Sequence, residues 1–192
     1  MFSLIPLVLI WALVLATVVR TTPHPEVGPQ PAVDKSDDEI TKDLKGYVSS
    51  ALGIDLARWQ GAWSYQLTFN QTLDTEAPNG LLDTLNAITT ELETYKSYSL
   101  HGSATAEVIG AFDTSGYMSF AGELTQKDKL YNANQRGLWQ VVRGGVTTAK
   151  NAWKSACQAI MSRMASDDPK HKQLHHGCLY IDGRLGVVEV AY

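Results

Sequence analysis

The sequence predicts an α+β fold: a two-layer α/β sandwich built on a split β-α-β-β-α-β antiparallel sheet, with helices on one face and a C-terminal hairpin. Three observations carry that expectation. Large apolar side chains alternate with polar ones over residues 63–69, the pattern of a half-buried strand. Two stretches, residues 81–95 and 146–165, repeat apolar residues at helical spacing. Turn residues at 113–116 and 182–183 are each flanked by apolar runs, as in β-hairpins.

In chain order, residues 2–19 form an almost unbroken apolar run that turns polar at Arg20. Its inner part, residues 4–15, has the length of a signal-peptide apolar core, and Ala16 offers a small residue for cleavage. The run is also near the lower length limit of a membrane-spanning helix and lacks a basic leader, so residues 1–19 read either as a secretory signal or as an N-terminal membrane anchor. Residues 20–35 are a linker, with four of the seven prolines between Pro23 and Pro31. Residues 36–192 are then a single α+β domain. Ser36 followed by Glu39 is a capping box, which starts a helix whose apolar face is Ile40, Leu44, Tyr47, Val48 and Ala51. The strand at 63–69 follows, and after Pro78-Asn79-Gly80 comes a helix with Leu81, Leu82, Leu85, Ile88, Leu92 and Tyr95 on one stripe.

Residues 104–112 and 117–124 read as a hairpin around Asp113-Thr114-Ser115-Gly116. Residues 126–145 fit either a short strand or a helical turn. The second long helix carries Val146, Ala149, Ala152, Trp153, Ala156, Cys157, Ile160 and Met164, and Asp167-Asp168-Pro169 ends it. Cys178 to Ile181, the Asp182-Gly183 turn and residues 185–192 make the last hairpin.

Composition narrows function less than compartment. Of 192 residues 44% are hydrophobic and 19% charged, the range of an ordinary globular protein. The net charge of −4 conceals an asymmetry: residues 21–126 hold 5 Lys/Arg against 15 Asp/Glu, residues 127–192 hold 10 against 5. Two opposite halves can pair within one domain, or the basic half can present a face to an anionic partner. The two cysteines, Cys157 and Cys178, suit one disulfide in an oxidising compartment, and Asn70-Gln71-Thr72 is an N-glycosylation sequon. That compartment excludes nucleic acid as the expected partner.

The densest set of ligand-type side chains is Asp167, Asp168, His171, His175, His176 and Cys178. Its spacing fits no standard zinc motif, so the stretch reads as a surface loop that becomes more positive as pH falls below about 6.5. No metal and no cofactor is expected. His101 beside Gly102-Ser103, the acidic pairs Asp37-Asp38 and Glu91 with Glu93, and Gly144-Gly145 with Arg143 each lack the rest of a catalytic or anion-binding motif, and no catalytic residue is assigned. Arg136, Trp139, Arg143, Lys150 and Lys154 form the candidate surface-binding set, a basic patch around an interfacial tryptophan.

The C-terminal pattern Trp153-Lys154-Ser155-Ala156-Cys157, Ile160 and Cys178-Leu179-Tyr180-Ile181-Asp182-Gly183 resembles small secreted yeast and fungal proteins of the killer-toxin-like kind. The resemblance implies an α/β sandwich and a secreted protein that acts on competing cells by binding their wall or membrane. The expected function is therefore a secreted, non-enzymatic effector or toxin-like protein whose basic C-terminal half meets an anionic cell surface or membrane. Two alternatives are a membrane-tethered lumenal or surface domain that binds a partner protein, and a secreted hydrolase of unrecognised type.

Overall fold

Residues 34–192, described by a computed structural model, fold as eight α-helices: α1 (Asp37–Ser49), α2 (Leu56–Thr68), α3 (Asn79–Thr94), α4 (Gly102–Gly110), α5 (Ser115–Leu124), α6 (Lys127–Gln135), α7 (Trp139–Met161) and α8 (Pro169–Ala191). A π-helical segment, Ser50–Asp55, joins α1 to α2. Among the described residues the only β pairing is one isolated bridge between Leu100 and Met164. The expected α/β sandwich is therefore corrected to an all-α fold. The apolar run 2–19 and most of the linker 20–35 lie outside the described residues.

Each misread strand has its own physical explanation. Residues 63–69 belong to α2, where the alternation is two interleaved sets of i, i+4 neighbours. Trp63 and Leu67 extend the buried stripe of Leu56 and Trp59, while Tyr65 and Phe69 pair on the outer side. Over four residues a period of two and a period of four coincide, and the upstream residues Leu56 and Trp59 decide between them. The expected hairpin at 104–124 is α4 followed by α5. Thr105, Val108 and Ile109 are buried on α4, and Tyr117, Phe120, Ala121 and Leu124 on α5, both at helical spacing. Its turn is a helix start, in which the Asp113 carboxylate accepts the Ser115 N–H at 2.9 Å.

The third misread strand pair, with much of the histidine loop before it, is the 23-residue helix α8. Asp168 is its N-cap and accepts the Lys170 N–H at 2.8 Å, and Pro169 sits at the first helical position, where its missing N–H costs nothing. Asp182-Gly183 is not a turn but the middle of that helix. Residues 126–145, which fit either a strand or a helical turn in sequence, form α6, a short turn and the first third of α7. The capping box at Ser36 and Glu39 and the helix on Asn79–Thr94 stand where the sequence puts them.

Residues 35–192 form one compact unit. Its core is aromatic at the centre: Trp59 meets Trp63 edge-on at 5.1 Å and Phe120 at 4.5 Å, and Tyr117 and Phe112 flank Trp153 at about 6 Å. Trp63 donates its indole N–H to the Asp74 carbonyl at 2.7 Å, which fastens the loop after α2. The π segment is held by the buried Asp55, which accepts from the Ser50 and Thr84 hydroxyls at 2.8 Å each and so ties the segment to α3.

Gly144-Gly145 is inside α7 and not at a helix start, so it offers no anion cradle. A Cβ on Gly145 would lie 2.6 Å from the Trp63 ring, whereas one on Gly144 would meet nothing within 4 Å. Trp63 is 1% exposed and wedged against Trp59, so it cannot yield. Gly145→Ala is therefore expected to destabilise the fold by about 1–3 kcal/mol through overpacking. Gly144→Ala is expected to stabilise it by about 0.5–1 kcal/mol through helix propensity. Paired urea titrations check both signs.

Candidate functional site

The C-terminal helical hairpin carries the candidate site. On α7 the buried positions Val142, Val146, Ala149, Trp153, Ala156 and Ile160 advance in steps of four and three; on α8 Leu174, Cys178, Ile181, Leu185, Val188 and Tyr192 do the same. Two such stripes facing each other form a coiled-coil-like seam. The helices run antiparallel, because Cys157 joins Cys178, Lys154 faces Asp182 and Lys150 faces Glu189. The Cys157–Cys178 disulfide expected from the sequence is present, with the two Cα atoms 6.2 Å apart.

Beside the disulfide the hairpin leaves an open groove of about 210 Å³. Cys157, Cys178 and Trp153 floor it, and Met161 and Leu179 wall it. Its rim is polar, from Lys154, Gln158, His175 and Asp182. Leu179 is 54% exposed, so the groove opens onto an apolar strip of α8. With both sulfurs bonded to each other, the floor offers no thiolate; it offers apolar contact beside cationic and hydrogen-bonding groups.

The structure separates the five residues of the expected surface-binding set. Arg136 is turned inward, donating to the Gln66 carbonyl at 3.4 Å and also to the Gln71 carbonyl, so it fastens the end of α2. Trp139 is half-buried against Tyr192, ring centroids 5.7 Å apart, and its indole nitrogen is buried without a hydrogen-bond partner among the described residues. Lys150 donates to Glu189 at 2.7 Å, and Lys154 stands 3.3 Å from Asp182. Arg143 is exposed. Arg136 and Lys150 thus serve the inside of the fold, while Lys154 pairs with Asp182 at the exposed edge of the α7/α8 seam.

The histidine-rich stretch, read as a loop, lies on the first turns of α8. Lys172, His175 and His176 are exposed, and the His175 and His176 rings lie 6.4 Å apart. Among the described residues no three His, Cys, Asp or Glu side chains converge as a metal-binding group. A further cleft, of about 350 Å³ between the starts of α1 and α4, is lined by Asp37 and Asp38 from the first and by His101 and Ser103 from the second. There the His101 Nδ1 lies 2.9 Å from the Ser99 carbonyl, which orients the ring toward backbone. Asn70 is exposed just beyond α2.

Sequence alone does not bring His175 and Leu179 together in a groove, because local patterns divide α8 into a loop and a strand. The signal that finds them is the four-three spacing from Leu174 to Tyr192, which makes the whole stretch one helix. Comparison of the chain with known protein families, curated proteins and solved structures finds no match. Fold and site together define an all-helical protein with a disulfide-tied C-terminal hairpin.

Electrostatics reinforces the seam. Hydrogen bonds from Lys150 and then Thr147 hold the Glu189 carboxyl below its ordinary value, and the same contact raises Lys150. A depressed carboxyl contributes stability above its unfolded value, about 4.3, and loses it as pH falls through the lower folded value. Glu189→Gln is therefore expected to lower stability at pH 7 by about 1 kcal/mol and to make the decline between pH 5 and pH 3 shallower. Denaturant midpoints across that range measure it. Removing the disulfide in Cys157→Ser/Cys178→Ser is expected to cost about 3 kcal/mol. Unfolding of native and double-variant protein, each with and without reductant, reads that loss; reductant should affect only the native chain.

Proposed function

We propose that the chain is a secreted, non-enzymatic effector that acts at an anionic cell surface and meets that surface with the first turns of α8 and the groove beside them. The observation that carries this reading is the crowding of Lys170, His171, Lys172, His175 and His176 into two helical turns next to the exposed Leu179. Lys170 and Lys172, in the first turn, oppose the helix dipole at about 0.3–1 kcal/mol each. Asp167 and Asp168 offset part of this, yet the two lysines remain where they weaken their own helix. Groups placed against stability mark a surface used for something else.

Secretion is supported by the apolar run 2–19, the sequon at Asn70 and the disulfide. No described helix is long and apolar enough to cross a membrane. The toxin-like role implied by the resemblance agrees with this reading, although the sandwich implied with it does not exist. The surface-binding set moves accordingly, from Lys150, which is paired across the seam, to the start of α8 and the groove rim that holds Lys154.

Binding of the full chain to vesicles containing one part in four of anionic phospholipid tests the proposal. Binding should weaken with added salt, and Lys170→Gln/Lys172→Gln/His175→Gln/His176→Gln should lower it at least tenfold at low ionic strength, since each surface lysine contributes about 1 kcal/mol. Lys150→Gln should lower stability and leave binding unchanged. Binding that follows Lys150 and ignores the first set would reject the reading.

A further inference from the structure

The outer side of α2 presents two aromatic rings to solvent. Tyr65 is 53% and Phe69 62% exposed, and their centroids lie 4.7 Å apart at 48°. They form one apolar plate with no described side chain laid over it, whereas Trp63 and Leu67 on the opposite side of the same helix are fully buried. Scattered single apolar residues at a surface need no explanation, but a paired aromatic plate does.

Its occupant is indicated by the next residue. Phe69 caps α2, and Asn70 turns the chain with φ 57°, the left-handed conformation that ends many helices and that asparagine tolerates. The Gln71 N–H returns to the Gln66 carbonyl at 2.9 Å, closing the helix end. Asn132 of α6 holds the Leu67 carbonyl at 2.8 Å, and Arg136 holds the Gln66 and Gln71 carbonyls. The backbone on either side of Asn70 is thus fastened. Asn70, Gln71 and Thr72, the three residues of the sequon, are all exposed.

We infer that Asn70 carries an N-linked glycan and that Tyr65 and Phe69 are the platform on which its first N-acetylglucosamine packs. The inference rests on the secretory part of the function proposed above. In the covalent step the Asn70 Nδ2 forms a bond to C1 of the sugar of a lipid-diphosphate oligosaccharide. The C1–O bond to phosphate breaks, the lipid diphosphate leaves with the electron pair, and the amide gives up one proton. Adjacent Cα atoms lie about 3.8 Å apart, so the sugar and the Phe69 ring hang from neighbouring points of a fixed backbone. One face of the pyranose is lined with C–H groups, which carry slight positive charge and pack on the negative face of an aromatic ring. Tyr65, one helical turn earlier, widens the plate to the size of a sugar ring.

The test expresses the full chain, with its own residues 1–33, in a eukaryotic secretory host and compares intact mass and thermal midpoint for three forms: fully glycosylated, trimmed to the single first sugar, and completely deglycosylated, with Asn70→Asp as the control for the last. A glycan should be present, and absent from Asn70→Gln and Thr72→Ala. The midpoint should survive trimming to one sugar and fall by about 2–4 °C on complete removal. In Phe69→Ser, and more weakly in Tyr65→Ser, that fall should vanish; both positions are exposed, so these variants fold. A glycan that stabilises Phe69→Ser as much as the native chain overturns the platform. A secreted, disulfide-bonded chain with Asn70 bare overturns this inference alone, whereas a cytosolic chain with Met1 intact and Asn70 bare overturns the secretory reading with it.

Discussion

The packing of α7 against α8 is the constraint on which the rest of the fold depends. Both helices are 23 residues long, both repeat their buried residues in steps of four and three, and Cys157–Cys178 fixes their register. That register sets Lys150 beside Glu189 and Lys154 beside Asp182. α3 packs on α7, α4 and α5 pack on α8, and Gly145 of α7 lies against Trp63 of α2. α1 attaches through α3 and α4, and α6 through α2, so disturbance at the hairpin reaches the whole unit.

Packing here overrides local preference in a legible way. The helix α8 contains Gly177, Gly183 and Gly186, each costing about 1 kcal/mol relative to alanine in a helix. None of the three is required by space: a Cβ on Gly177 or Gly186 would make an ordinary contact at 3.6 Å, and one on Gly183 would meet nothing within 4 Å. The helix forms despite this lost propensity because its buried stripe packs on α7. Buried charge is handled in the same manner. Lys129, 2% exposed, donates to Glu123 at 2.7 Å and to Gln126 at 2.6 Å, and Glu123, held below its ordinary value by Lys129 and then Ser64, ties α5 and α6 to α2.

Surface features fall into two groups once these internal contacts are counted. Of the cations that the sequence places in one basic patch, Arg136 and Lys150 are engaged within the fold, Lys154 meets Asp182 at the surface, and Arg143 is exposed, while the start of α8 adds a separate outward basic set. Aromatics divide likewise: Trp59, Trp63 and Trp153 are core, Trp139 is half covered by Tyr192, and Tyr65 with Phe69 remain outside beside the sequon. Charge counts do not distinguish a solvated lysine from one answered by a carboxylate 39 positions away.

By itself the sequence determined the features that depend on near neighbours or on chemistry alone: the capping box at Ser36, the helix on Asn79–Thr94, most of the stripe on α7, the burial of Trp63 and Trp153, and the pairing of the two cysteines. These follow from contacts within a turn or two, or from there being one possible partner. Tertiary structure decided the fold class. Residues 63–69, 104–124 and 178–192 each satisfy a strand pattern over four to eight positions, and each also satisfies a helix pattern when read with its flanks. A strand needs an edge to pair with, and none is available among the described residues, whereas a helix closes its own hydrogen bonds and asks only for an apolar surface opposite. The facing stripes of α7 and α8, with the aromatic core beneath α2 and α5, supply that surface, and the ambiguous segments become helices for that reason.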